Sequence, residues 1–372
     1  MTKRKKRRFK LKVKRIISLL VITALITVVL INLNNIKIFY LSKTTKYNTD
    51  TINVFLEKDI LEEVKEQKYS KTLEKVIQDN AFEDKYLEEY LKITFQDKKT
   101  FVENINSLLK LGYKNKNINK IYELLNDDSI ELLTKSKYIE DINNIITLSY
   151  FNEDSLERYI KYYDKEKLNE EDAVTYVNIG LDNKYYTNII KLKEEDAVTA
   201  IVNKYHSLSK NYVPKNLQNV KYGSGQLRKD AKEAFDKMCD AARKDKIYIS
   251  GGSGYRSYSY QETLYNNYVA RDGFNAAETY SARPGYSEHQ TGLAMDVVNE
   301  RGEFISASDK EYKWLIDNSY KYGFILRYPK GKDKLTGYMY EEWHYRYLGI
   351  DVATKVYESK LTYDEFVARN LF

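Results

Sequence analysis

The stretch that decides the fold of this chain is SARPGYSEHQTGLAMDVV at residues 281–298, which is followed at 337–349 by GYMYEEWHYRYLG. In the first stretch His289 precedes a Gly-containing turn, and Asp296 then enters the apolar run MDVV, which predicts a strand. In the second stretch Glu341 stands three residues before His344. The chain has only three histidines, and two of them lie in these stretches. The pattern therefore predicts a chemical site built on strands.

The residues His289, Asp296 and His344 are of the types that hold a catalytic zinc ion. Such a site takes three N or O ligands from the protein and leaves one position to water. The water needs a general base, for which Glu341 is the candidate. Arg256, on the turn after a predicted strand, would stabilise an oxyanion or grip a substrate carboxylate. On the residues alone, roles without a metal stay open: His289 as a surface histidine, Asp296 as a hydrogen-bonding residue at the end of a strand, and His344 as a core histidine.

The region around these stretches mixes strands and helices. Residues 226–243 predict a helix, 246–250 a strand that ends at two glycines, and 311–322 a second helix. The segment GFILRYP at 323–329 predicts a further strand. Because strands and helices do not alternate regularly, the pattern predicts an α+β domain, which we expect to span residues 201–372.

The N-terminus carries a basic block and then an apolar run. Residues 3–15 hold ten basic side chains and no acid, which more than accounts for the net charge of +7. The remainder is net acidic, so composition gives no basic surface for nucleic acid, and we expect no such partner. The run IISLLVITALITVVLI at 16–31, extended to residue 33, has the length of a membrane-spanning helix.

The charge pattern also predicts how this helix is oriented in the membrane. By the positive-inside rule, residues 1–15 form a cytoplasmic tail, 16–33 the anchor and 34–50 a linker, and everything that follows is exported. A cleaved signal peptide is the alternative. We therefore expect a single-pass protein of the cell membrane with an extracytoplasmic C-terminal domain.

The middle region, residues 51–200, predicts helices, because apolar residues recur at steps of three and four. Several segments resemble one another: LEEYLK at 87–92, INKIYE at 118–123, LERYIK at 156–161, and EEDAVT at both 170–175 and 194–199. Such echoes predict an all-α region of stacked helix pairs, and an ordinary helical bundle explains them almost as well. We expect a spacer, with a partner- or glycan-binding surface as the alternative.

The C-terminal motifs resemble those of the D-alanyl-D-alanine carboxypeptidase family, the VanY-like members of a group of zinc peptidases that includes the VanX-type dipeptidases. The resemblance is carried by four runs: VNKYHSLSKNYVPKNL at 202–217, SGYRS at 253–257 with Gln261, the S-x-H-x-x-G-x-A-x-D set from Ser287 to Asp296, and E-x-W-H from Glu341 to His344. It covers roughly residues 200–372, and the order and spacing of the motifs fit throughout.

This resemblance implies a small α+β zinc fold with a central antiparallel sheet. It assigns roles to seven residues: one zinc ion on His289, Asp296 and His344, the catalytic base Glu341, the charge-stabilising Arg256, and Ser287 and Gln261 in the substrate pocket. The implied activity is removal of the C-terminal D-alanine from peptidoglycan stem peptides on the wall side of the membrane. The alternatives are an L,D-carboxypeptidase, an endopeptidase, or a non-catalytic zinc-containing wall-binding module. A protein partner for the helical region is a further possibility.

Overall fold

The computed structural model describes Lys3–Phe372, with side chains described from residue 12 onward. Its contacts divide the chain between Thr147 and Leu148 into two compact units, which we call the N-terminal and the C-terminal unit. The predicted domain boundary at residues 200 and 201 lies inside the C-terminal unit. About fifty residues that the sequence pattern groups with the middle region therefore fold with the C-terminal domain.

The N-terminal unit opens with one long helix, α1 (Lys3–Thr45). Its stretch Lys12–Thr45 is long and apolar enough to cross a membrane, and its most apolar part is not buried against the rest of the described chain. The hydroxyls of Thr23 and Thr27 donate to helix carbonyls three or four residues earlier, which removes the cost of placing them in an apolar medium. The sequence predicts a linker at 34–50, but in the structure α1 continues through most of this range.

The rest of the N-terminal unit consists of short helices: α2 (Thr49–Glu57), α3 (Leu61–Lys65), α4 (Lys71–Gln78), α5 (Leu87–Lys92), α6 (Phe101–Leu111), α7 (Asn115–Leu124), α8 (Asp127–Thr134) and α9 (Ile142–Ile146). Polar side chains begin several of them. Asn48 accepts from the backbone N–H of Thr51, and Ser70 accepts from that of Leu73. These caps satisfy amides at the start of a helix that have no partner within it.

The short helices stack in two rows. Helices α2, α4, α6 and α8 contact one another in that order, and α5, α7 and α9 form the second row. The same tyrosine contact occurs twice: the hydroxyl of Tyr47 accepts from the backbone N–H of Ser70, and that of Tyr113 from Ile139. Two of the three similar segments, those in α5 and α7, are neighbours in one row. Each pair therefore buries its apolar face mainly on adjacent pairs, as in a helical repeat protein.

The C-terminal unit mixes helices and strands. Its helices are α10 (Leu156–Glu166), α11 (Glu170–Ile179), α12 (Lys229–Lys244), α13 (Tyr258–Asp272), α14 (Phe274–Tyr280), α15 (Lys310–Asn318), α16 (Asp333–Thr336), α17 (Ile350–Ser359) and α18 (Tyr363–Ala368). Its strands are β1 (Ile190–Lys191), β2 (His206–Ser207), β3 (Leu217–Asn219), β4 (Gln226–Arg228), β5 (Ser250–Ser253), β6 (Ala294–Val298), β7 (Phe324–Leu326) and β8 (His344–Tyr347).

The main sheet has four strands in the order β5-β6-β8-β7, and each neighbouring pair is antiparallel. Strands β1 and β2 form a parallel pair, and β3 and β4 an antiparallel one. The predicted α+β class with a helical region before it is confirmed. The echo of EEDAVT is not structural, because its first copy begins α11 while its second, at 194–199, forms turns.

The core of the C-terminal unit lies between α12 and the main sheet. Phe235 of α12 packs edge-on against Phe324 of β7 with ring centroids 5.9 Å apart, and Cys239 is buried in the same cluster. Helix α12 begins three residues later than the sequence predicts, because Leu227 pairs with Gln218 in β3–β4 and is buried there. This packing covers one face of the main sheet.

Candidate metal centre

Two candidate ligands face each other on neighbouring strands. Asp296 of β6 and His344 of β8 are directly opposite in the antiparallel register, which places their side chains in contact. The carboxylate Oδ1 of Asp296 lies 3.2 Å from Nδ1 of His344. Both side chains are buried. The predicted convergence of these two residues therefore follows from strand register.

The third candidate ligand arrives from a tight turn. His289 lies in a 3-10 turn, Glu288–Thr291, that ends at Gly292 with a φ of +67°. Its Nε2 is 3.3 Å from Oδ1 of Asp296, and its Nδ1 is 2.7 Å from the carbonyl oxygen of Gly254. Because a carbonyl only accepts, we place the proton on Nδ1. The lone pair of Nε2 is then directed toward Asp296.

The three side chains fit a zinc ion. Their ligand atoms lie within 4.8 Å of one another, and within the part of the chain that the structure describes they form the one such group. Nε2 of His289 and Oδ1 of Asp296 are buried with no hydrogen-bond partner among the described residues. A buried polar atom without a partner is costly, and a cation between these atoms would remove the cost. Two imidazole nitrogens and one carboxylate oxygen are a common catalytic zinc set.

The electrostatics of the cluster favour ligating states at two of its members. Burial, and then the charge of Arg256, lower the pKa of His289 to about 4, so its ring is neutral. Burial opposes ionisation of Asp296, but the positive charges of His344 and Arg256 hold its pKa well below the usual range. Burial also opposes protonation of His344, but the nearby carboxylates of Asp296 and Glu288 raise its pKa to about 9. A cation bound at Nδ1 of His344 would displace that proton.

The cluster opens into a cleft of about 540 Å³. Glu341, the predicted base, lines it and is only 7% exposed. Its Oε2 lies 3.6 Å from Nδ1 of His344, so the carboxylate faces the same point as the candidate ligands. Burial raises the pKa of Glu341 to about 7.

Arg256 lies on the opposite side of the Asp296 carboxylate. Its Nη2 is 3.3 Å from Oδ2 of Asp296, and its Nη1 is 3.3 Å from Oε1 of Gln261. Its Nε is buried with no partner among the residues that the structure describes. Gln261 is held in turn by the carbonyl of Ala282, which accepts from its Nε2 at 2.8 Å. Gln261 therefore orients Arg256 at the edge of the cleft.

The structure brings together all seven residues that the sequence predicts for the site. The cleft is lined by Arg256, Gln261, Ser287, His289, Asp296, Glu341 and His344. The third histidine, His206, is outside the candidate metal group, and its Nδ1 contacts Oδ1 of Asn203 at 2.9 Å. Trp343 also lines the cleft and packs against Phe304 with ring centroids 5.8 Å apart.

Sequence reasoning missed a buried charge cluster behind the site. Glu288 accepts hydrogen bonds from Nε of Arg327 at 2.8 Å and from Nη1 of Arg346 at 3.0 Å. Burial opposes its ionisation, but the two arginines lower the pKa of Glu288 far below its usual range. The available signal was the presence of arginines inside the apolar strand segments FILRYP and HYRYLG. Long charged side chains in such strands are almost never fully buried unless they are paired.

The part of the chain that holds the candidate site matches a known protein family. The family model of D-alanyl-D-alanine carboxypeptidase (VanY) matches residues 224–350. YodJ of Bacillus subtilis (strain 168), whose carboxypeptidase assignment is provisional, is 36% identical over 224 residues, which are 55% of this chain and 81% of YodJ. The bifunctional D-Ala-D-Ala dipeptidase and carboxypeptidase VanXYC of Enterococcus gallinarum is 30% identical over 174 residues, 45% of this chain and 91% of that protein.

Among solved structures, the LD-carboxypeptidase LdcB is 36% identical and has a TM-score of 0.47, covering 50% of this chain and 92% of LdcB. YodJ and VanXYC are similar to this chain over most of their own length. The VanY family model spans the part of this chain that holds the candidate site. The chain is therefore a peptidase. It belongs to the VanY family of D-alanyl-D-alanine carboxypeptidases, which confirms the resemblance found in the sequence.

Proposed function

We propose that this chain is a zinc-dependent carboxypeptidase that hydrolyses the bond before the C-terminal D-alanine of peptidoglycan stem peptides. The observation that carries the proposal is the convergence of two buried imidazoles and a carboxylate on one point, beside a second carboxylate in an open cleft. Membership of the VanY family supports the same reaction and substrate class.

His289, Asp296 and His344 would hold one zinc ion. When bound, the ion would supply a Lewis acid and lower the pKa of a coordinated water. Glu341 then accepts a proton from the attacking water and delivers it to the amine that leaves. The water oxygen bonds to the acyl carbon, the C–N bond breaks, and free D-alanine and a shortened stem are released.

Arg256 would hold the negative charge of the substrate. Its Nε has no partner among the residues that the structure describes, and the side chain lines the cleft. A guanidinium binds a carboxylate through two parallel hydrogen bonds. We assign it to the terminal carboxylate of the stem or to the developing oxyanion. Ser287 and Gln261 would complete the pocket, Gln261 by fixing the orientation of Arg256.

The long apolar helix supports a membrane-tethered enzyme. With the basic block of residues 3–15 on the cytoplasmic side, the C-terminal unit would lie on the wall side, where its substrate is. We assign the stacked helices of the N-terminal unit to a spacer role, and a protein partner on that unit is the alternative.

The test uses the full-length chain in detergent with defined pentapeptide and tetrapeptide stems, with and without a chelator. We expect release of D-alanine from the pentapeptide only, lost on chelation and restored by zinc. Glu341→Gln should lower kcat by about 10²–10⁴-fold while zinc still binds. Its matched control is Glu342→Gln, which changes the adjacent glutamate of the same motif and should remain active.

Each other outcome identifies a specific alternative. Release from the tetrapeptide instead would retain the mechanism and make the enzyme an L,D-carboxypeptidase. Cleavage only within longer or cross-linked peptides would make it an endopeptidase. Zinc binding without cleavage of any stem would refute the carboxypeptidase and favour a wall-binding module.

A further inference from the structure

Glu288 is the most deeply buried acid beside the candidate metal centre, yet it is not one of the three candidate ligands. It precedes the ligand His289, is 1% exposed, and its Oε2 lies 3.3 Å from Nε2 of His344. That nitrogen is on the side of the ring away from Nδ1, which faces Asp296. Glu288 therefore contacts a candidate ligand through the atom that does not face the metal position.

A line of buried charges leads from Glu288 to the C-terminal helix α18. Arg327, which is 0% exposed, donates from Nε to Glu288 and from Nη1 to Oδ2 of Asp364 at 2.6 Å. Asp364 accepts a further hydrogen bond from Nδ2 of Asn203 at 2.8 Å. Arg346 approaches Glu288 from β8, and its Nη2 donates to the carbonyl of Ala200 at 2.8 Å.

A buried network of charges is an energetically unfavourable way to fill a protein core. Removing each charge from water costs free energy, and apolar side chains of equal volume often give a core that is as stable. A network of this kind has a function when it specifies one arrangement of the groups it touches. The group touched here is His344. Because a carboxylate accepts, contact with Glu288 keeps a proton on Nε2, so Nδ1 is the nitrogen that binds a cation once the cation has displaced its proton.

The ring of the other candidate histidine ligand, His289, is also oriented by a hydrogen bond on the side away from the metal position, in this case to a backbone carbonyl. His289 donates from Nδ1 to the carbonyl of Gly254, which leaves Nε2 to face the cluster. The two rings thus present opposite nitrogens, and each has a hydrogen-bond acceptor behind it. Partners of this kind set the tautomer and orientation of histidine ligands in metal sites.

We propose that Glu288 is a positioning residue that fixes His344 as an Nδ1 ligand, and that Arg327 and Arg346 hold Glu288 in place. Asp364 extends this arrangement by fixing Arg327. The inference rests on the proposed zinc site and adds residues that do not touch the ion.

The experiment measures zinc affinity of the full-length protein by competition with a chromogenic chelator, and the absorption spectrum of the cobalt(II) form. Glu288→Gln should weaken zinc binding by about 10–100-fold and alter the cobalt spectrum, because the amide cannot serve both arginines and the imidazole. Asp364→Asn should change both readouts in the same direction by a smaller factor. The matched control is Asp182→Asn, which breaks an ion pair with Arg158 in the same unit away from the candidate ligands.

We expect the control to retain zinc affinity within about twofold of wild type. Glu288→Gln with wild-type zinc affinity and cobalt spectrum would overturn the inference. If circular dichroism shows that Glu288→Gln does not fold, Asp364→Asn becomes the deciding variant. Unchanged zinc affinity and cobalt spectrum in Asp364→Asn would then overturn the inference. A wild-type protein that binds no zinc would instead refute the proposed function on which the inference rests.

Discussion

Lys204 offers a quantitative test of how the C-terminal unit accommodates a buried cation. It is 3% exposed, and its Nζ donates to the carbonyl of Glu278 at 2.7 Å. The ammonium lies 4.4 Å from the ring centroid of Tyr185 and 4.7 Å from that of Tyr338. Burial lowers the pKa of Lys204 from 10.5 to about 8, since neither a carbonyl nor an aromatic face replaces full hydration.

The pKa shift of Lys204 makes stability depend on pH in a defined direction. Below pH 8 the lysine is charged in both the folded and the unfolded state. Between pH 8 and 10.5 the folded state loses the proton first, so the unfolded state binds more protons and the free energy of unfolding rises with pH. With these two pKa values the gain is about 1 kcal/mol between pH 7 and pH 9.

The measurement compares wild type with Lys204→Met in urea at pH 7 and pH 9. The fluorescence of Trp314 and Trp343, the two tryptophans of the chain, reports on the C-terminal unit. The wild type should gain about 1 kcal/mol more than the variant over this range. Taking the difference cancels the titration of the tyrosines, which both proteins share. A difference that stays constant within about 0.3 kcal/mol, or that falls, would refute the reasoning.

Four further results are expected. Gly223→Ala should destabilise the C-terminal unit by more than about 3 kcal/mol, because a Cβ there would lie 2.2 Å from a backbone oxygen. Gly302→Ala, also at positive φ but in open space, should cost about 1 kcal/mol. Equal melting temperatures of the two variants would contradict this expectation. Burial raises the pKa of Cys239 to about 12, so alkylation should require unfolding, and rapid labelling of the native protein would be the contrary result. Tyr113→Phe should cost about 1–2 kcal/mol in urea, since it leaves the backbone N–H of Ile139 unpaired; no change would mean that water replaces the hydroxyl. Removing zinc with a chelator should lower the melting temperature, and re-addition should restore it; an unchanged melting temperature would indicate that zinc does not bind the folded state.

The candidate site could be predicted because its ligands lie at the ends of strands and beside a turn, which the local sequence pattern indicates. Asp296 enters a strand and His344 begins one, so pairing of the two strands is enough to bring them together. Gly292 signals the turn that returns His289 to the same edge. Scarcity of histidine in the rest of the chain made these positions stand out.

The features that sequence reasoning missed depend on partners far apart in the chain. Glu288 and Asp364 have no local signal, because the arginine that joins them, Arg327, lies in a different strand segment. The two copies of EEDAVT have the same letters, yet only the first follows a capping residue, Asn169, and continues into an apolar helix face. Contacts between distant segments decided the first case, and the residues that flank the repeated letters decided the second.

The two rows of stacked helices also have a mechanical consequence. Because each helix pair depends mainly on its immediate neighbours, a pair can be inserted or deleted without rebuilding the others, so the length of the N-terminal unit is adjustable in steps. Under a pulling force such an array would unfold one helix pair at a time. With α1 held in a membrane, each such step would lengthen the N-terminal unit by the chain of one helix pair.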